Sequence, residues 1–169
     1  MKKAYYLSMR DKYLPMKLKT VFVFESPPVS GKYFYNEEGR VSEPLFSAMM
    51  KLLNLEPTNK KGGLEQFATA GFFLIDATYT PVNHLTNTER NAVISQCFVE
   101  LASDIKKLAE ISDIELILVK ANVCRLLESR LLSLGFNVKN RGTIIPFPSS
   151  GQQTRFFREA RKVLAGING

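Results

Sequence analysis

Thr20-Val21-Phe22-Val23-Phe24-Glu25-Ser26-Pro27-Pro28 is the stretch whose reading decides the fold. Val21 to Phe24 are apolar without alternation, the pattern of a strand covered on both faces. Glu25 ends the run, and Ser26-Pro27-Pro28 continues neither helix nor sheet. Phe72-Phe73-Leu74-Ile75 repeats the pattern and ends at Asp76. Leu116-Ile117-Leu118-Val119 is a third run, and Thr143-Ile144-Ile145, stopped by Pro146 and Pro148, is a fourth.

Helical spacing fills the intervals. Leu45, Phe46, Met49, Met50, Leu52 and Leu53 form one stripe, with Ser42 as the expected N-cap. Residues 56–63 are polar, with one Pro and two Gly, and read as a loop. Thr86 and Glu89 have capping-box spacing. Val93, Ile94, Cys97, Phe98, Leu101, Ile105 and Leu108 then predict one long helix. Residues 123–134 predict a helix stopped by Gly135. Phe156, Phe157, Ala160, Val163 and Leu164 mark the last one.

Alternation of solid strands with amphipathic helices predicts an α/β fold, a three-layer α/β/α sandwich on a four-stranded parallel sheet. In such sheets ligands bind beyond the carboxyl ends of the strands. The loops at residues 25–35, 76–83 and 147–153 leave those ends. The 169 residues suit one domain spanning 1–169, and 45% hydrophobic content is enough for a sizeable core.

Composition narrows the function classes. The N-terminus has no continuous apolar segment of the secretory kind, and no run is long enough for a bilayer. A cytoplasmic, monomeric protein without membrane contact is the expectation. Cys97, Cys124 and His84 share no metal-ligand spacing, so neither a metal nor another cofactor is expected. Both thiols fall on apolar stripes and read as core cysteines. Net charge is +7, with +5 in residues 1–20, −5 in 21–119 and +7 in 120–169. A basic C-terminal third suits a polyanion, nucleic acid included. No G-x-G-x-x-G, P-loop or G-x-S-x-G motif occurs, which disfavours dinucleotide, nucleoside-triphosphate and serine-hydrolase chemistry.

The three strand-end loops, taken in order, resemble those of the uracil-DNA glycosylase superfamily, closest to its thermostable family 4. Phe24-Glu25-Ser26-Pro27-Pro28 resembles that family's Gly-Glu-Ala-Pro-Gly, and Gly31-Lys32-Tyr33-Phe34 its Gly-x-Pro-Phe. The stretch from Phe72 through Asp76, Pro81, Asn83 and Glu89 to Cys97 resembles its strand, Asn, loop and Glu-x-x-x-Cys helix. Phe147-Pro148-Ser149 sits where the family has His-Pro-Ser. Only Cys97 matches an iron–sulfur ligand, and one thiolate holds no [4Fe–4S] cluster.

The resemblance implies excision of uracil or a related deaminated base from DNA, with Glu25 facing the water or the sugar cation. Phe34, or Tyr35 in its place, would stack on the flipped base. Asp76 would face the base edge in place of the family Asn. An ionised Asp76 only accepts hydrogen bonds and suits an exocyclic amine better than uracil O4. Phe147 replaces the family His and supplies no donor to the leaving base, a role Ser149 or Ser150 would take over in part. Ser150 and Gly151 at a helix start, with Arg155 and Arg158 beyond, would grip DNA phosphates. A non-catalytic member of the fold that binds DNA or a nucleobase is the second expectation. A hydrolase of nucleotides or small acids that shares only the fold is the third.

Overall fold

The computed structural model describes residues 2–168. Its elements are α1 (Lys2–Asp11), β1 (Thr20–Phe24), α2 (Pro44–Leu52), α3 (Lys60–Thr69), β2 (Phe72–Asp76), α4 (Asn87–Gln96), α5 (Phe98–Ile111), β3 (Glu115–Leu118), α6 (Ala121–Ser133) and α7 (Gln153–Asn168). Among the described residues no helix is long and apolar enough to cross a membrane.

β1 is the central strand of a parallel sheet ordered β2-β1-β3. All five of its residues are buried, so both faces of the sheet are covered. Thr20 pairs with Phe72 and Phe24 with Asp76 on one side; Thr20 pairs with Glu115 and Val23 with Leu118 on the other. The flush register brings Glu25, Ala77 and Lys120 out at one level. The first crossover steps from the centre to one edge, and the second returns across the centre to the other. Right-handed crossovers of opposite direction put their helices on opposite faces. The packing agrees: α2 meets α7, while α4 meets α5 and α6.

The expected fourth strand does not form, and the sheet has three strands. Residues 137–145 lie beside β3 but touch it as a ladder only at isolated bridges, Leu116 with Val138 and Val119 with Ile145. Between them the chain turns away through Gly142 at φ 70°. The gap is filled by a side chain. The Asn140 amide accepts from Leu118 N–H at 2.9 Å and donates to Leu118 C=O at 2.8 Å, which is what a strand's peptide would do.

Other expectations are corrected locally. Residues 60–63 are helical, not loop. The Asn59 side chain caps α3 by accepting from Gly62 N–H at 2.7 Å. Gly63 is there because a Cβ would stand 2.5 Å from the Phe46 ring and 2.8 Å from Pro57. Ser42 caps nothing; α2 starts with Pro44 behind Glu43. The single helix expected after Glu89 is two, hinged at Cys97 with φ −87° and ψ 2°. The Thr86–Glu89 capping box is present. The N-terminal helix α1 turns Tyr6 and Arg10, four residues apart, inward.

β2 is an edge strand, and phenols occupy two of its outward N–H groups. Leu74 N–H donates to Tyr35 Oη at 2.7 Å, and Asp76 N–H donates to Tyr79 Oη at 3.3 Å. Buried Arg10 holds Tyr79 from behind at 2.8 Å and forks onto Asp104 at 2.7 and 3.2 Å.

Removing the Asn140 amide strands two buried backbone groups of Leu118. Asn140→Ala is expected to lower unfolding free energy by about 2–3 kcal/mol with an unchanged urea m-value. Asn140→Asp, which accepts but no longer donates, should recover only part of the loss. A change within ~0.5 kcal/mol for both variants in urea titrations would show that the amide does not stand in for a strand.

Candidate functional site

Glu25 follows the last residue of β1 and is only 6% exposed. A carboxylate so placed must find compensation, and three side chains supply it. Lys120 Nζ lies 2.7 Å from Oε1, and Asn122 Nδ2 donates to Oε2 at 2.6 Å. Arg90 Nη1 on α4 lies 3.6 Å from Oε2. Asn122 also reaches Asn91 Oδ1 at 3.4 Å. Arg90 is tied down by the 83–85 loop, donating to the carbonyls of Asn83 at 3.2 Å and Leu85 at 3.4 Å.

Lys120 joins β3 to α6 with φ 92° and ψ 139°, a conformation that non-glycine residues seldom adopt. Such backbone costs on the order of 1–3 kcal/mol and concentrates at functional sites. It persists because both ends are fixed. The Lys120 N–H donates to Ile145 C=O at 2.8 Å, and its C=O accepts from Cys124 N–H at 3.0 Å.

Asp76 ends β2, one strand over from Glu25, and is 4% exposed. Burial pushes its carboxyl up to about 8; the Glu25 charge adds to the rise and Arg10 opposes it. While it keeps its proton the group is a donor as well as an acceptor, whereas the ionised form only accepts. The Tyr33 phenol is raised far above its ordinary value, by burial first and then by the Asp76 charge. Tyr33 is held through its carbonyl by the buried Lys60, whose Nζ donates to it at 2.6 Å and to Glu43 at 2.8 Å.

Four buried side-chain atoms around the Glu25–Asp76 pair have no hydrogen-bond partner: Tyr33 Oη, Asp76 Oδ2, Arg90 Nε and Asn122 Oδ1. Buried polar atoms are normally paired with protein or ordered water, so such a cluster offers four free bonding positions to a water or a polar ligand. A groove of about 1310 Å³ opens from Asp76 and runs past Thr78, His84 and Cys97 toward Tyr6 and Asp104. The loops around it are stitched together: Val82 N–H donates to Ser26 Oγ at 3.2 Å, and Val29 N–H to Asn83 Oδ1 at 3.0 Å.

The residues expected to stack on a base are elsewhere. Phe34 is a core ring at 2% exposure, 5.2 Å from Phe67 and 5.7 Å from Phe46. Tyr35 is also buried, its hydroxyl spent on Leu74. The ring in direct contact with Asp76 is Tyr79, whose hydroxyl accepts from the Asp76 N–H, and Tyr33 feels the Asp76 charge. Phe147 is half-buried and meets Phe24 edge-on at 6.1 Å. Ser149, Ser150 and Gly151 are exposed where the chain turns from the bridge at Ile145 into α7. Arg155 and Arg158 are exposed on α7, Arg158 with its Nε 3.1 Å from Glu159. Cys124 is buried as expected, whereas Cys97 is half-buried on the groove, 3.3 Å from the Thr78 hydroxyl. Among the described residues no group of three His, Cys, Asp or Glu has the arrangement of a metal site.

Lys120, Asn122, Arg90 and Tyr33 were not singled out in the sequence. The first two had a signal: Lys120-Ala121-Asn122 follows an apolar strand at its carboxyl end, as Glu25 and Asp76 do. Arg90 gave none, since its partner is distant in the chain.

No protein-family model matches this chain, and no curated protein matches it either.

The buried acid makes a pH signature. Between the ordinary carboxylate range and about pH 8 the folded chain keeps the Asp76 proton that the unfolded chain has lost. Its contribution to stability therefore falls as pH rises through that window and levels off above it. Asp76→Asn should remove this slope, and should exceed wild type by roughly 1–3 kcal/mol at alkaline pH with the gap closing toward acid pH. Urea titrations across that range check it; parallel curves for the two proteins would contradict the assignment.

Proposed function

We propose that this chain takes a single nucleobase, flipped out of DNA, at the carboxyl ends of its three strands and hydrolyses the N-glycosidic bond. The reading joins the resemblance of the strand-end loops to uracil-DNA glycosylases with one observation: the buried Asp76 carboxyl and Tyr33 hydroxyl lack partners one strand over from Glu25. A protonated Asp76 offers O–H and C=O side by side. That pair complements a carbonyl next to a ring N–H, as in uracil, hypoxanthine and xanthine.

In this reading Glu25 faces the sugar, where its negative charge favours an oxocarbenium-like transition state. Negative charge on the departing base is met by Lys120, Arg90 and the Asn122 amide, the cationic and donor groups already gathered around Glu25. Phe147, packed on Phe24, adds no donor. DNA phosphates would lie along the exposed Ser149-Ser150-Gly151 turn and the basic face of α7 with Arg155 and Arg158. A second reading, base binding without hydrolysis, is favoured by the engagement of both Glu25 oxygens, which leaves little room to orient a water.

Duplex oligonucleotides carrying uracil, hypoxanthine or xanthine separate the two. Release of one base by wild type, reduced about 100-fold or more in Glu25→Gln with DNA affinity retained, is the expected result. Tight binding of a modified duplex with no release selects the second reading. Absence of both binding and release overturns both.

A further inference from the structure

The Lys120 amine has no assigned task beyond balancing charge, yet its setting is that of a nucleophile. Its side chain is 27% exposed, against 7% for the Glu25 side chain it pairs with. The backbone beneath it takes a conformation suited to glycine, where any other side chain is strained. The amine stands at the sheet end where Glu25 and Asp76 close adjacent strands, with a proton acceptor, Glu25 Oε1, at 2.7 Å. Arg90, 3.6 Å from the other Glu25 oxygen, and Asn122, 2.6 Å from it, hold the carboxylate so that Oε1 faces the amine.

We infer that Lys120 forms a Schiff base with the aldehyde of an abasic deoxyribose and cleaves the strand on its 3′ side by β-elimination. This rests on the reading that a deoxyribose lies beside Glu25. A Lys120 proton passes to Glu25, and the neutral amine attacks C1′ of the ring-opened sugar. The C–N bond forms as the C=O π bond opens to an alkoxide, which takes a proton from the new ammonium to become a hydroxyl; Glu25 returns its proton to that hydroxyl, and water leaves to give an iminium. The Glu25 carboxylate then removes a C2′ proton, and the C–H electron pair becomes the double bond of an enamine. The enamine electrons break the C3′–O bond and the phosphate leaves. Water hydrolyses the new iminium, which frees the unsaturated aldehyde and restores the amine. No oxidant or reductant is consumed.

The test uses a duplex with one preformed abasic site, so base release is not required, and sodium borohydride to reduce any iminium to a stable amine. Wild type should give a covalent protein–DNA band, with the modified peptide containing Lys120 by mass spectrometry. Lys120→Arg keeps a cation against Glu25 and should lower the band to background. Binding of the abasic duplex with no adduct, or an adduct mapped to a different amine, overturns the inference. If Lys120→Arg does not fold, the wild-type peptide map alone decides. Uracil release without an adduct overturns this step and leaves the glycosylase reading intact; failure to bind the abasic duplex overturns both.

Discussion

A carboxylate at the end of a fully buried central strand is the constraint around which this molecule is arranged. Glu25 cannot reach bulk water, so donors must come to it. Lys120 and Asn122 come from the start of α6 and Arg90 from α4, which fixes how the helices on that side meet the sheet. Replacing a buried ion pair by apolar residues is often neutral or stabilising, so this cluster is an expensive way to hold a fold together. The strained Lys120 backbone adds to that cost. Both expenses fall at the one end of the sheet where parallel α/β proteins place their chemistry.

The same end carries a second carboxyl handled in the opposite way. Asp76 has no cation in direct contact, and burial keeps its proton on. Two acids on neighbouring strands thus sit in different settings, one held by cations and an amide, one without a cation in contact. Divergent environments for paired acids are how a single site comes to offer both a charged group and a hydrogen-bond donor.

Strand positions were legible because burial on both faces leaves an unambiguous mark: Val21 to Phe24, Phe72 to Ile75 and Leu116 to Leu118 are solid apolar runs, and all became strands. Thr143-Ile144-Ile145 bears the same mark and did not, because its pairing partner's N–H and C=O were taken by the Asn140 side chain, an interaction with no periodicity to betray it. Gly62 and Gly63 read as breakers, yet Gly63 is required by the Phe46 and Pro57 contacts within a helix. In Tyr33-Phe34-Tyr35 all three rings are buried, so composition alone does not say which one faces the acid. Lys60, distant in sequence, fixes the backbone of that turn by gripping the Tyr33 carbonyl. Glu25 and Asp76 were legible as acids that end apolar strands; their partners were not, because charge pairing across 65 and more residues leaves no local trace.

The two margins of the sheet are closed without strands, by Tyr35 and Tyr79 hydroxyls on β2 and by the Asn140 amide on β3. Exposed strand edges are templates on which other chains add, and the usual protections are lysines, prolines or bulges. Here the protection is chemical occupancy: every outward backbone group those side chains hold is unavailable to an incoming strand. A sheet of only three strands, short and strongly apolar, would otherwise be prone to grow from chain to chain into cross-β stacks. Side-chain plugs therefore cap the number of strands at three and keep a hydrophobic, aromatic-rich sheet from recruiting its neighbours.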